Sequence, residues 1–180
     1  VTNLVYKEAI DLPMGMTITE GKFLFDPKKV TINKMVGTLG KSPFGLDGFV
    51  QHYMAWTFSE GAVLDGEMNF TSSAFNVDEW MEEEEVPAGT ESETTVEGAD
   101  VEYEVAAIPA DINFVMNSTI DKVIYEDYDI TNLKGVIVVK NQTAYMKDLF
   151  FNMLKAEWVM NGSYNTQDIK KPLFSYDMTL

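Results

Sequence analysis

Asp111-Ile112-Asn113-Phe114-Val115-Met116-Asn117 decides the fold. Ile112, Phe114 and Met116 alternate with Asp111, Asn113, Val115 and Asn117. A period of two gives a strand one apolar face. The same pattern returns in Leu133, Gly135, Ile137 and Val139, then in Ala156, Trp158, Met160, Gly162 and Tyr164, and last in Phe174, Tyr176, Met178 and Leu180. Upstream, the runs 21–27, 30–36, 44–50, 53–58 and 62–70 also read as strands. Asp26-Pro27, Gly40, Ser42-Pro43 and Ser59-Glu60-Gly61 supply the turns between them. Asn76, followed by Asp78 and Glu79, marks the start of a helix of about two turns. The expected fold is all-β and mainly antiparallel: a strongly curved, groove-like or sandwich-like sheet with one or two short helices.

The 180 residues are long enough for one domain with a core, or for a piece of something larger. The chain opens on Val1, and it reads as a processed or excised segment. The net charge of −16 is unevenly spread. Eleven acids lie between Glu79 and Glu104 with no base among them, leaving 18 acids against 13 lysines elsewhere. The stretch 82–104 therefore reads as a solvated acidic loop between two strand-rich halves, 1–80 and 105–180, of a single β-rich domain. It lacks the ligand spacing and fixed glycine of a calcium loop. A loose repeat links the halves: Val36–Gly40 through 62–70 has the same order of strand, break and glycine-centred strand as Leu133–Val139 through Ala156–Gly162. Glycines inside strands mark bends, so their recurrence points to strong curvature.

Catalytic and nucleic-acid chemistry are poorly provided for. There is no cysteine, one histidine, His52, and no arginine, which removes disulfides, most nucleophile–base pairs, most zinc sites and bidentate anion forks. No clustered positive charge offers a surface to nucleic acid. His52 beside Tyr53 and Trp56 reads as a structural or surface histidine. Gly37-Thr-Leu-Gly-Lys-Ser42 is not a phosphate loop, because Met35 stands where the first glycine is needed and Pro43 follows where a helix should begin. Asp65 and Glu67 alternate with Leu64, Gly66 and Met68, the pattern of a solvated outer face. Asn69, Asn117, Asn141 and Asn161 stand in glycosylation triplets, which polar strand faces rich in Asn, Ser and Thr also produce unaided. The chain is expected to be non-enzymatic, with no cofactor, no metal and no membrane-spanning helix.

Several phrases resemble the C-terminal region of AsmA-family proteins. They are Leu39–Phe49, Ala62–Ser72, Tyr128–Leu149, Met160–Asp168 with its turn Gly162-Ser-Tyr-Asn-Thr-Gln-Asp168, and Lys171-Pro172-Leu173-Phe174. They occur in order and cover most of the chain except the acidic loop. The resemblance implies a segment of a large Gram-negative envelope protein, periplasmic and anchored in the inner membrane, with a curved sheet whose apolar groove holds phospholipid acyl chains. It also implies a role in lipid transport or outer-membrane biogenesis, with envelope-assembly proteins as further partners. No catalytic residue comes with it. What carries over is a groove wall made of Leu64, Met68, Phe70, Ile112, Phe114, Met116, Ile137, Val139, Trp158 and Met160.

The residues themselves leave two arrangements open. Either the two halves cover each other as a closed core, which the usual mutual burial of apolar faces favours, or the sheet stays a trough with lipid over it. Eleven methionines suit either. A different class, a secreted or surface β-sandwich module binding glycan or protein, would show a closed core and Tyr53, Trp56 and Tyr145 clustered at one edge.

Overall fold

The computed structural model describes residues 2–6, 15–80 and 107–180, with side chains described from Gly15 onward in those ranges except at Trp80. One mainly antiparallel sheet contains every strand among the described residues. In chain order these are β1 (Thr2–Tyr6), β2 (Met16–Phe25), β3 (Lys29–Leu39), β4 (Ser42–Gln51), β5 (Leu64–Ser72), β6 (Phe75–Asn76), β7 (Ile112–Tyr125), β8 (Tyr128–Lys140), β9 (Thr143–Met153), β10 (Ala156–Asn165) and β11 (Leu173–Thr179). Their spatial order is their chain order, with β6 continuing the line of β5 along β7. Two meanders, β1 to β5 and β7 to β11, meet at a parallel pair in which Leu64 lies opposite Ile112 and Ser72 opposite Ile120. The acidic stretch expected between the halves lies outside the described residues.

The halves therefore stand side by side in one open, curled sheet and do not stack as a sandwich. Among the described residues only eight apolar side chains are buried: Ile18, Ile32, Phe44, Met68, Ile120, Val123, Leu149 and Phe151. They line the inside of the curl. The repeat read in the sequence falls on two strand triples of equal order, β3–β4–β5 and β8–β9–β10. Its glycines, Gly37, Gly66, Gly135 and Gly162, all sit on the concave face.

At three of these glycines, Gly37, Gly135 and Gly162, backbone of a neighbouring strand comes too close for a side chain. A Cβ on Gly37 would stand 1.9 Å from the carbonyl oxygen of Thr17, and one on Gly135 would stand 2.9 Å from Cα of Leu149. Bulges add to the bend. Register slips between Ile32 and Met35 on β3–β4, between Thr131 and Lys134 on β8–β9, and between Met160 and Gly162 on β9–β10. Each slip bends its strand and increases local twist. Asn141 and Gln142, both at positive φ, close the two-residue turn between β8 and β9.

Two local expectations are corrected. Tyr53–Phe58 is a helix, α1, and not a strand. β4 can pair only as far as Gln51, opposite Lys29 where β3 begins. Beyond it no ladder is available, and the run Tyr53-Met-Ala-Trp-Thr-Phe58 closes its own hydrogen bonds, Trp56 N to His52 O and Ser59 N to Ala55 O. After Asn76 the chain forms a 3₁₀ turn, Asp78–Trp80, where the start of an α-helix was expected; the end of that expected helix lies outside the described residues. Asn76 Oδ1 does accept the Asp78 amide. The acids that should favour a helix start are engaged elsewhere, however: Asp78 accepts the Glu126 amide and Glu79 the Lys41 amide.

Gly37→Ala should lower stability by about 1–3 kcal/mol, the usual cost of overpacking. Gly45→Ala should cost clearly less, because its Cβ would meet only the Thr71 hydroxyl, which can turn away. Urea midpoints of the two variants against the parent check the difference.

Candidate functional site: an apolar trough

Register carries one apolar face from β2 to β11. Met16 lies opposite Leu39, Leu46 opposite Phe70, Met68 opposite Met116, Met116 opposite Ile137, and Phe114 opposite Val139. Trp158 lies opposite Phe151, Met160 opposite Met178, and Gly162 opposite Tyr176. All ten residues expected to form the groove wall belong to this face.

Within the curl this face surrounds a cavity of about 530 Å³, inside the range of small-molecule sites. Its walls come from every strand from β2 to β9, so it runs across the strands. Of the ten expected wall residues, Phe70, Met116 and Ile137 line it. Met68 is buried beside it. Leu64, Ile112, Phe114 and Val139 continue the face toward the lip where β7 begins, and Trp158 and Met160 continue it onto β10. On β11 the apolar side is open, with Phe174 62%, Tyr176 65% and Met178 40% exposed.

The sequence reading missed the other side of the cavity: Met16, Leu39, Phe44, Phe75 and Leu149 among others. Phe44 and Leu46 did alternate, but Pro43, Gly45 and Gly48 masked the pattern. Val77 and Val123 could not be found from period two, because Ile120 and Val123, three residues apart, both face inward. Every lining residue is apolar except Ser118.

The opposite face is polar and internally bonded. Asn69 donates to Asp47 and Asn117 donates to Asn69, at 2.8 and 3.1 Å. Glu67 is exposed there, as expected. Nearby, His52 Nδ1 lies 2.8 Å from Asp65 Oδ2, and Asn113 donates to Oδ1 of the same carboxylate at 3.2 Å. The hydrogen bond with His52 is the main reason that the Asp65 carboxyl sits below its ordinary pKa; burial opposes the shift and Asn113 adds to it. His52 is a surface residue that ties α1 to β5. Asn161 accepts the Asp148 amide at the β9 bulge, so its side chain has a structural task.

The lip where β7 begins is held by polar contacts. Trp56 Nε1 donates to Asp111, Tyr53 OH donates to the Asp26 carbonyl, and the Ile108 amide donates to the hydroxyl of buried Thr166. Thr166 also donates to the Gln142 carbonyl. The turn Gly162–Asp168 thus has a structural rationale, joining the entry to β7 to the β8–β9 turn. After Leu39, the phosphate-loop lookalike makes a tight turn straight into β4. No group of metal-ligating side chains occurs among the described residues, and no helix there is long and apolar enough to cross a membrane. Comparison with protein-family models, curated proteins and solved structures found no match.

His52→Ala should raise the Asp65 pKa toward the ordinary carboxylate value, as followed by NMR titration of the side-chain carboxyl. Because the folded-state pKa is lowered, the contact stabilises the fold above the ordinary carboxylate pKa and is lost as pH falls through the lowered one. The stability deficit of the variant should accordingly be seen near neutral pH and close in acid.

Proposed function

We propose that this chain is a non-enzymatic lipid-handling segment whose apolar trough holds phospholipid acyl chains. The observation that carries the reading is the continuous concave face from β2 to β11, enclosing an apolar cavity with no second layer over it among the described residues. Exposed apolar surface is worth about 25 cal/mol per Å² when buried, and a face of this extent on a soluble protein marks a binding surface. Acyl chains match it in chemistry, and a cavity crossing eight strands suits a long, flexible occupant.

Together with the resemblance to AsmA-family proteins, this supports a periplasmic location in a Gram-negative envelope. The parent protein would be anchored in the inner membrane and would work in phospholipid transport or outer-membrane biogenesis, with envelope-assembly proteins as partners. The wall residues are those of the concave face, with Phe70, Met116 and Ile137 at the cavity and Trp158 and Met160 beyond it. The glycan- or protein-binding sandwich gains no support: the described strands form a single sheet, and Tyr145 projects from the outer face of β9 while Tyr53 and Trp56 lie on α1.

Purified protein should carry phospholipid detectable by native mass spectrometry and solvent extraction. A photo-reactive residue at Trp158 or Met160 should crosslink to it, and Ile137→Asp should reduce the bound lipid about tenfold or more while circular dichroism stays strand-rich. Absence of lipid from the parent protein, with no crosslink, would defeat the reading.

A further inference from the structure

β11 ends the sheet. Its seven residues pair with β10 on one side, from Asn165 opposite Leu173 to Val159 opposite Thr179, without a register slip. On the other side no strand among the described residues pairs with it. Such an edge offers unbonded N–H and C=O groups to any extended chain, and native proteins blunt their edges with lysine, proline, a bulge or a covering loop. Leu173–Thr179 contains no lysine and no proline, and Asp177 is its single charge. All seven residues are exposed. On the concave side the Phe174 and Tyr176 rings lie 5.7 Å apart, with Met178 next along the strand. The free edge is therefore regular, uncovered and apolar on one side.

The order of residues along this edge selects a partner. Two antiparallel copies of β11 related by a two-fold axis normal to the sheet keep concave side with concave side when paired positions share a face. Centred on Ser175, only five of the seven residues find partners. Centred on Asp177, five pair again and the two carboxylates face each other, a destabilising pair of like charges. Centred on Tyr176, all seven pair: Leu173 with Thr179, Phe174 with Met178, Ser175 with Asp177, and Tyr176 with its own copy. Ring then meets ring or thioether on the concave side, and each carboxylate meets a hydroxyl on the convex side.

We propose that the β11 edge is a self-association surface, at which a second copy of this chain adds its own β11, antiparallel and centred on Tyr176. The contact is isologous, so it consumes both β11 edges and closes at the dimer. Two curled sheets become one, and the concave face runs unbroken from one copy into the other. The proposal stands apart from the lipid reading, since the backbone ladder and the side-chain pairs form with or without an occupant in the trough.

Analytical ultracentrifugation of the purified protein over a range of concentrations tests it, with bound lipid quantified in the same samples. A monomer–dimer equilibrium is expected, with no larger species. Tyr176→Lys sets two ammonium groups across the axis and should weaken the dimer about tenfold, while its urea midpoint at monomeric dilution stays near that of the parent. The chain has no cysteine, so introduced thiols report the register. Tyr176→Cys should crosslink to its copy through a short bismaleimide, and Ser175→Cys mixed with Asp177→Cys should crosslink more than either variant alone. A monomer at every concentration overturns the proposal and leaves the edge to a strand from elsewhere in a longer chain or from another protein. Mass that grows past the dimer overturns it as well, because it means head-to-tail pairing of β11 with β1. So does a dimer that ignores Tyr176→Lys or crosslinks without preference for these pairs. The lipid content of the samples decides the lipid reading separately.

Discussion

The close approach of neighbouring strands on the concave face governs the rest of this structure. A single sheet with one apolar side has two ways to keep that side from water: acquire a second layer, or bend around itself. Gly37 and Gly135 allow the bend by removing the Cβ where backbone from the next strand passes. Large side chains then lean into the space the glycines leave, with Leu149 over Gly135 and Phe114 over Gly66. The bulges complete the curl by turning residues three apart onto the same face. Curvature, cavity and buried side chains thus have one cause.

The convex face obeys a different rule. Its carboxylates and amides bond along rows that cross the strands, as in Asp47–Asn69–Asn117 and His52–Asp65–Asn113. Both rows cross the parallel junction of β5 and β7. The side-chain bonds reinforce the place where the two meanders join, where backbone pairing is slightly weaker per residue than in an antiparallel pair. The asparagines of two glycosylation triplets, Asn69 and Asn117, are members of one of these rows.

Much of this architecture was legible from residue order, and the reasons for the rest are local. Ile112, Phe114 and Met116 announced their strand because β7 stays in register with β5 and with β8 over that length. The same strand became unreadable after Ile120, where Val123 turns inward out of period. Strand order could not be read, since alternation says which side a residue faces and nothing about its neighbour. Tyr53–Phe58 was misjudged because aromatic residues favour strands on average, whereas here the end of β3 removes the partner a strand would need. Concave-face membership was recovered for all ten expected residues. Which of them border the cavity depends on the curl, a property of the whole sheet.

The parallel pairing of β5 with β7 places a demand on the chain between them. Val77 leaves one lip, its amide bonded to Ile124, and Asp111 arrives at the other, its carbonyl bonded to Leu64. At about 3.3 Å per strand residue the two levels are on the order of 40 Å apart along β7. The connection must span that distance whatever its composition, and about twelve extended residues are the least that can do so. A two-residue hairpin there would reverse β7, inverting the order of lips for the whole second meander and dissolving the shared cavity. The least constrained letters of the sequence thus occupy a stretch whose minimum length is fixed by topology.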